Sequence, residues 1–179
     1  KEFKEEVLRA EHLSCDRIVV DASFSLFKGE ILGFYGIVGS GRTEMIRALL
    51  GIDKLKGGKV FLNGKEVFFK NICQSTEAGL VLVPEERRQQ GLVMNFTIRE
   101  NSTLGKLKNY SRLGIINGKK EAKVVNNLVD KLQVNCRNIE QKAGNLSGGN
   151  QQKVVISKFI DIPVDIFIFD EQTRGIDVG

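Results

Sequence analysis

Three short stretches carry residue types that could act on a phosphate group. The first is Gly36-Ile37-Val38-Gly39-Ser40-Gly41-Arg42-Thr43, followed by Glu44 at the start of a helix-like segment. Its glycines let backbone N–H groups turn toward an anion, and the helix start adds positive dipole character. The pattern G-x-x-x-x-G-K-[ST] is met at every fixed position except that Arg42 replaces lysine. The second stretch is Asp170-Glu171, two acids at the end of an apolar run. Asp170 suits a Mg²⁺ held jointly with the Thr43 hydroxyl, and Glu171 suits polarisation of an attacking water. The third is Leu146-Ser147-Gly148-Gly149, read either as a helix cap or as a second surface for phosphate. One phosphate loop already serves one nucleotide. The third stretch is therefore expected to meet a nucleotide held by another subunit.

Positioning these residues requires an alternation of strands and helices. Residues 7–13 read as a strand, and Val20, Ala22, Phe24 and Leu26 alternate with polar residues as a second. The apolar run Ile31-Leu32-Gly33-Phe34-Tyr35 is expected to be the buried strand that feeds the phosphate loop. Asn63-Gly64 between two apolar segments predicts a two-residue hairpin. A short helix over 72–78 and a strand over 80–84 follow. Thr97 and Glu100 fit a capping box, and Val125, Leu128, Val129 and Leu132 line one face of a helix over 118–134. Residues 164–169 predict a strand buried on both faces. The expected class is α/β. Residues 1–85 would form an antiparallel β subdomain and the first part of the core, 86–150 a helical insertion, and 151–179 the rest of the core.

Composition narrows the partners. With 41% hydrophobic and 27% charged residues among 179, the chain reads as an ordinary globular protein. No run approaches the ~20 apolar residues that span a bilayer. The net charge of +5 is scattered, and no basic block is interleaved with aromatics, so nucleic acid is not an expected partner. Cys15, Cys73 and Cys136 form no C-x-x-C pair and His12 is the only histidine, so they make no metal cluster and are expected to be free thiols. The chain begins at Lys1 and is expected to be a piece of a longer polypeptide, truncated at its C-terminus.

These stretches together resemble the nucleotide-binding domain of ABC transporters, whose signature L-S-G-G-Q stands here as Leu146-Ser147-Gly148-Gly149-Asn150, extended by Gln151, Gln152 and Lys153. Val83-Pro84-Glu85-Glu86-Arg87-Arg88 and the segment from Asp170 to Gly179 are similar to the second ATPase domain of bacterial ribose- and galactose-type importers. The resemblance implies a P-loop NTPase (RecA-like) core and a dimer of domains sandwiching two ATP molecules with Mg²⁺. Gly36, Gly39, Ser40, Gly41, Arg42, Thr43, Glu44 and Glu85 would face this chain's own ATP. Leu146, Ser147, Gly148, Gly149, Asn150 and Gln151 would face ATP on the partner domain, expected within the same full-length polypeptide. Asp177 would serve as the D-loop aspartate, and Asp170 with Thr43 would hold the metal. The helical insertion would dock on membrane permease subunits at the cytoplasmic face of the bacterial cell membrane, serving a solute-binding protein indirectly.

Several positions depart from that family's pattern. Arg42 keeps the charge of lysine but presents a planar fork. Glu85 puts a carboxylate where most members have glutamine, and Gln172 replaces a proline. No aromatic residue lies among Ser14, Cys15, Asp16 and Arg17 to stack on a base, a loss worth about 1–3 kcal/mol. These departures suggest that the chain's own ATP site is the weaker of two.

Overall fold

Alternating apolar residues at the start of the chain produce an antiparallel sheet. The structure, a computed structural model, describes residues 5–15 and 17–170, and the chain divides into two compact units, Lys1–Leu80 and Val81–Gly179. In the first unit β1 (Glu6–Ser14) pairs with β2 (Ala22–Phe27) and with β3 (Gly57–Leu62), which pairs with β4 (Lys65–Val67). Leu8, Ala10 and Leu13 of β1 and Val60 of β3 are buried, and Ala10 stands opposite Val60. On the other face the Arg9 guanidinium lies 4.2 Å from the Phe61 ring centroid, directly across the strand pair. Asn63 and Gly64 both take positive φ, 49° and 75°, and close β3 onto β4 as expected.

Helix α1 (Arg42–Leu49) buries Met45, Ala48 and Leu49. Its last turn is held by Arg47, which donates from Nε and a terminal nitrogen to the Asp53 carboxylate at 2.6 and 3.0 Å. Helix α2 (Ile72–Glu77) starts at Asn71, whose side chain accepts from the Gln74 amide.

The strand expected over residues 31–35 is not formed. Those residues adopt no regular structure, and Ile31 and Tyr35 are 97% and 100% exposed. An apolar run becomes a strand only where neighbouring strands take up its backbone groups, and among the described residues the sheet of this unit is made from β1 to β4.

In the second unit β5 (Leu80–Val83) neighbours β8 (Ile166–Phe169). Three helices, α3 (Ile98–Thr103), α4 (Gly118–Leu132) and α5 (Gly148–Ile160), pack pairwise on one another. Their shared core contains Val83, Ile98, Val125, Leu146, Val154 and Val155, each such side chain contributing about 1.5–3 kcal/mol on burial. Val125 and Leu128 of α4 face inward, with Val129 and Leu132 partly buried beside them, as the helical spacing predicts. Glu121 of α4 is buried and takes an Arg99 nitrogen at 2.5 Å and the Thr103 hydroxyl at 2.6 Å. Arg99 also holds Glu140 at 2.7 Å, and the two carboxylates, Glu140 first, raise the guanidinium's already high pKa.

Two expectations need correction here. Strand β8 is not buried on both faces: Ile166 is buried, but Phe167 and Phe169 are substantially exposed, stacked on each other with centroids 5.9 Å apart. Among the described residues β8 has one neighbouring strand, too little to cover both faces. The helical stretch also contains a small hairpin of β6 (Ser111–Arg112) and β7 (Ile115–Ile116), too short for a period-two pattern to reveal.

The capping box at α3 is complete. Thr97 Oγ1 accepts from the Glu100 amide at 3.1 Å, and Glu100 Oε2 accepts from the Thr97 amide at 2.8 Å. Those bonds, the backbone one foremost, hold the Glu100 carboxyl below its ordinary value of 4.5. A depressed carboxylate adds stability that is present above the ordinary value and is lost as pH falls through the lower folded value. Glu100→Ala, which removes the carboxylate that takes these bonds, should therefore cost about 1 kcal/mol near neutrality. The gap between the melting temperatures of wild type and variant should narrow below pH 4.5. A gap that stays constant or widens in acid would count against the capping box as its source.

Candidate functional site

The phosphate loop of the first unit owes its shape to contacts that leave no room for side chains. Gly41 sits at the N-cap of α1 with φ 87°, and a Cβ there would come within 2.6 Å of Val19 Cγ2 and 2.9 Å of Ile18 Cγ2. A Cβ at Gly36 would approach Ser40 Oγ at 2.6 Å, so the loop closes on itself. Its turn is fixed by the Ser40 amide donating to Ile37 O at 3.1 Å, and α1 begins with Met45 N–H to Gly41 O at 2.9 Å. No side chain caps this helix start. A helix start capped by glycine presents backbone N–H groups, the donor type that an anion meets. Ile37, Val38, Gly39 and Ser40 are exposed, and Arg42, Thr43 and Glu44 are partly exposed along the first turn. The loop is thus a preformed, open, donor-lined curve.

The remaining candidates lie in the second unit. The carboxyl ends of β5 and β8 lie side by side, with the Asp170 amide donating to Val83 O at 3.2 Å. Asp170 follows β8 directly, and Glu85 follows β5 by two residues, so two acids leave neighbouring strand ends. After Glu85 the chain makes a helical turn, Arg87–Gly91. This turn is bound to α5 in two ways: Arg87 Nε donates to Gln151 Oε1 at 3.3 Å, and the Lys158 ammonium donates to Gly91 O. Burial alone lowers the Lys158 pKa.

Around the signature the side chains divide by direction. Leu146 is buried in the core cluster, and Gln151 is fully buried. The Gln151 amide nitrogen donates to Ala143 O at 3.3 Å and Leu146 O at 3.1 Å, holding the loop that precedes the signature. Asn150 accepts from the Asn135 amide at 2.8 Å and donates to Ser147 Oγ at 2.8 Å. The Ser147 hydroxyl therefore takes a bond from Asn150 and makes no cap bond to the helix backbone. Ser147 is exposed, Gly148 and Gly149 are partly exposed, and a Cβ at Gly149 would meet nothing within 4 Å. The surface offered outward is Ser147 and the two glycines at the free N-terminus of α5.

The sequence signal for Gln151 was its place in the signature, which does not tell an inward from an outward side chain. Arg87 stands in the sequence only as part of the Val83–Arg88 stretch, where the Arg87-Arg88 pair reads as solvated surface, and Lys158 carries no signal. Nothing local could have found their bonds, because their partners lie 64 and 67 residues away. Glu171, Gln172 and Asp177 lie outside the described residues. Among the described residues no group of three or more His, Cys, Asp or Glu could hold a metal, and no helix is long and apolar enough to cross a membrane. Of the two oxygens expected to hold Mg²⁺, the Thr43 hydroxyl belongs to the first unit and the Asp170 carboxylate to the second.

Comparison with known proteins agrees with this assembly of parts. The family model described as ABC transporter matches residues 19–174. A ribose import ATP-binding protein of Lactococcus lactis subsp. lactis is 45% identical over 178 residues, covering 99% of this chain and 36% of the relative. That of Bacillus subtilis is 42% identical over 175 residues, covering 98% and 36%. The chain thus spans about a third of the length of the curated relatives it matches. Among solved structures, an ATP-binding cassette of an ABC transporter superposes with a TM-score of 0.80 at 21% identity, covering 97% of this chain and 72% of that one. A dimeric cassette in a post-hydrolysis state with ADP and phosphate gives 0.75 at 21%, covering 96% and 76%. At such identities these two likenesses speak to the fold. With a family model over most of its length and relatives above 40% identity end to end, the chain belongs to the ABC transporter ATP-binding family.

Proposed function

We propose that this chain is an ATP-binding and ATP-hydrolysing domain that drives import of a monosaccharide or nucleoside through a membrane permease. The observation that carries the reading is the pairing of an open phosphate loop with an outward-facing Ser147-Gly148-Gly149 surface, in a chain similar end to end to ribose import ATP-binding proteins. Residues 36–44 cradle the β- and γ-phosphates of the chain's own ATP, with Arg42 supplying the cation. Thr43 and Asp170 hold Mg²⁺, which offsets phosphate charge, and Glu171 orients the attacking water. Ser147, Gly148 and Gly149 approach ATP held by a second nucleotide-binding domain, and Asp177 faces the same partner. Permease subunits dock on the helical region, with Glu85 close to the contact, on the cytoplasmic face of the membrane.

Leu146, Asn150 and Gln151 act differently from the exposed signature residues. Their side chains are used within the unit, so they position Ser147 and the glycines and do not touch nucleotide. Arg42 favours a further point. A guanidinium fork cannot reproduce the point charge that lysine places between phosphates, and Glu85 adds negative charge near the same group. The chain's own site is then the slower of the two.

The complete transporter tests both statements. Alanine at Glu171 should lower ATP turnover by less than about tenfold, whereas alanine at the partner domain's equivalent acid should lower it by roughly a hundredfold or more. Equal losses would remove the asymmetry, and absence of any ATP binding by the complete protein would overturn the function itself. Gln151→Leu removes one bond each from Arg87 Nε, Ala143 O and Leu146 O, a destabilisation of about 1–3 kcal/mol. Its expected kinetic effect is a fall in kcat with the KM for ATP nearly unchanged, because the chain's own cradle is untouched. A rise in KM with kcat preserved would show instead that Gln151 serves nucleotide binding.

A further inference from the structure

The hairpin between α3 and α4 exposes apolar side chains that its own fold does not need. Arg112 pairs with Ile115 and Ser111 with Ile116, leaving Leu113 and Gly114 as a two-residue turn with φ of 51° and 80°. Such a turn requires positive φ at both positions, which suits asparagine and glycine and strains a leucine. Leu113 is nevertheless there, 95% exposed, beside Ile115 at 75%, with Ile116 and Leu104 also exposed. The hairpin is held firmly. The Asn117 amide donates to Tyr110 O at 2.8 Å, Tyr110 is buried, and Lys120 Nζ donates to Asn109 O at 2.9 Å.

Charge around this tip has one sign. Lys108, Arg112, Lys119, Lys120 and Lys123 are all exposed. The only acid between residues 104 and 123 is Glu121, which is buried and neutralised by Arg99. The other cation in the stretch, Lys106, is also buried, facing Asp161 at 3.6 Å. A strained, solvated aliphatic tip whose flanking segments expose five cations has the chemistry of an element that sits at an anionic lipid–water interface. There the aliphatic groups leave water and the cations meet headgroup phosphates. Nucleic acid fits less well, because the tip offers no exposed aromatic ring for a base to stack on.

We propose that the β6–β7 hairpin, through Leu113 and Ile115 with Lys108, Arg112 and Lys119, is a contact of this chain with an anionic membrane surface. The contact is separate from nucleotide chemistry and holds whether or not the chain's own ATP site turns over.

Co-sedimentation of the full-length protein with vesicles tests it, comparing phosphatidylcholine containing phosphatidylglycerol with pure phosphatidylcholine. Wild type should bind the anionic vesicles preferentially and be released as salt rises. Lys108→Gln with Arg112→Gln should weaken binding by roughly 25-fold, about fivefold per cation removed. Leu113→Gly is the decisive variant: it relieves the positive-φ strain, so thermal stability should hold or rise while vesicle binding falls. Equal binding to neutral and anionic vesicles, no vesicle binding by wild type, or variants that bind like wild type would each overturn the proposal. So would variants whose only defect is loss of permease association in detergent, which would make the hairpin a protein contact. ATPase activity of the detergent-solubilised transporter should be unchanged in these variants, which keeps failure here distinct from failure of the ATPase reading.

Discussion

A primary amide shut away from water has to find partners for its oxygen and its nitrogen, and in the second unit the amide of Gln151 finds three. Its oxygen takes Arg87 from the turn that follows Glu85, and its nitrogen reaches Ala143 O and Leu146 O just before the signature. An unsatisfied group at that depth would cost on the order of 1–3 kcal/mol, so the three segments cannot drift apart independently. Core burial is non-directional, so the apolar cluster beneath does not by itself select these backbone partners. Lys158, half-buried and donating to Gly91 O, closes the same turn from the far end of α5. The exposed edge of the signature therefore inherits its orientation from a polar network inside the unit.

A second fully buried amide repeats the device nearby. Asn101 accepts from the Val93 amide at 2.9 Å and donates to Val93 O, Phe96 O and Thr97 O, clamping the loop that leads into α3. The backbone of that loop in turn pairs with the segment before the signature, with Ala143 N–H to Phe96 O and Gly144 N–H to Met94 O. From β5 to the start of α5, the irregular parts of the unit are ordered by side-chain amides as much as by the helices they join.

What could be read from the sequence was what local chemistry decides. The Asn63-Gly64 turn, the Thr97–Glu100 box and the inward face of α4 each depend on residues within a few positions, and each stands where expected. The phosphate loop belongs with them, since its glycine spacing is itself local. Features that depend on distant partners were misread or missed. Among the described residues the run over 31–35 has strand composition but pairs with no strand, and β8 has apolar residues but one neighbour. For Gln151 the sequence supplied a place in a signature without a direction, and only the fold turned it inward. The apolar tip at Leu113 was hidden for another reason: its residues look like ordinary core until their exposure is known.

Glycines separate what the fold requires from what an outside molecule requires. At Gly41 the reason is internal, because Val19 and Ile18 already occupy the space of a side chain and φ is 87°. At Gly149 nothing within 4 Å would meet a Cβ, and φ is not positive. A glycine in a helix is less stable than alanine by about 0.5–1 kcal/mol, so this one carries a cost with no return inside the chain. Close approach of something from outside is the remaining physical reason for a bare backbone there. The free N–H groups at that helix start give that approach a preferred chemistry, an anion. Ser147, freed from capping by its bond to Asn150, stands beside it. The two phosphate-suited surfaces of this chain are thus built on opposite logics, one shaped by its own packing and one left bare.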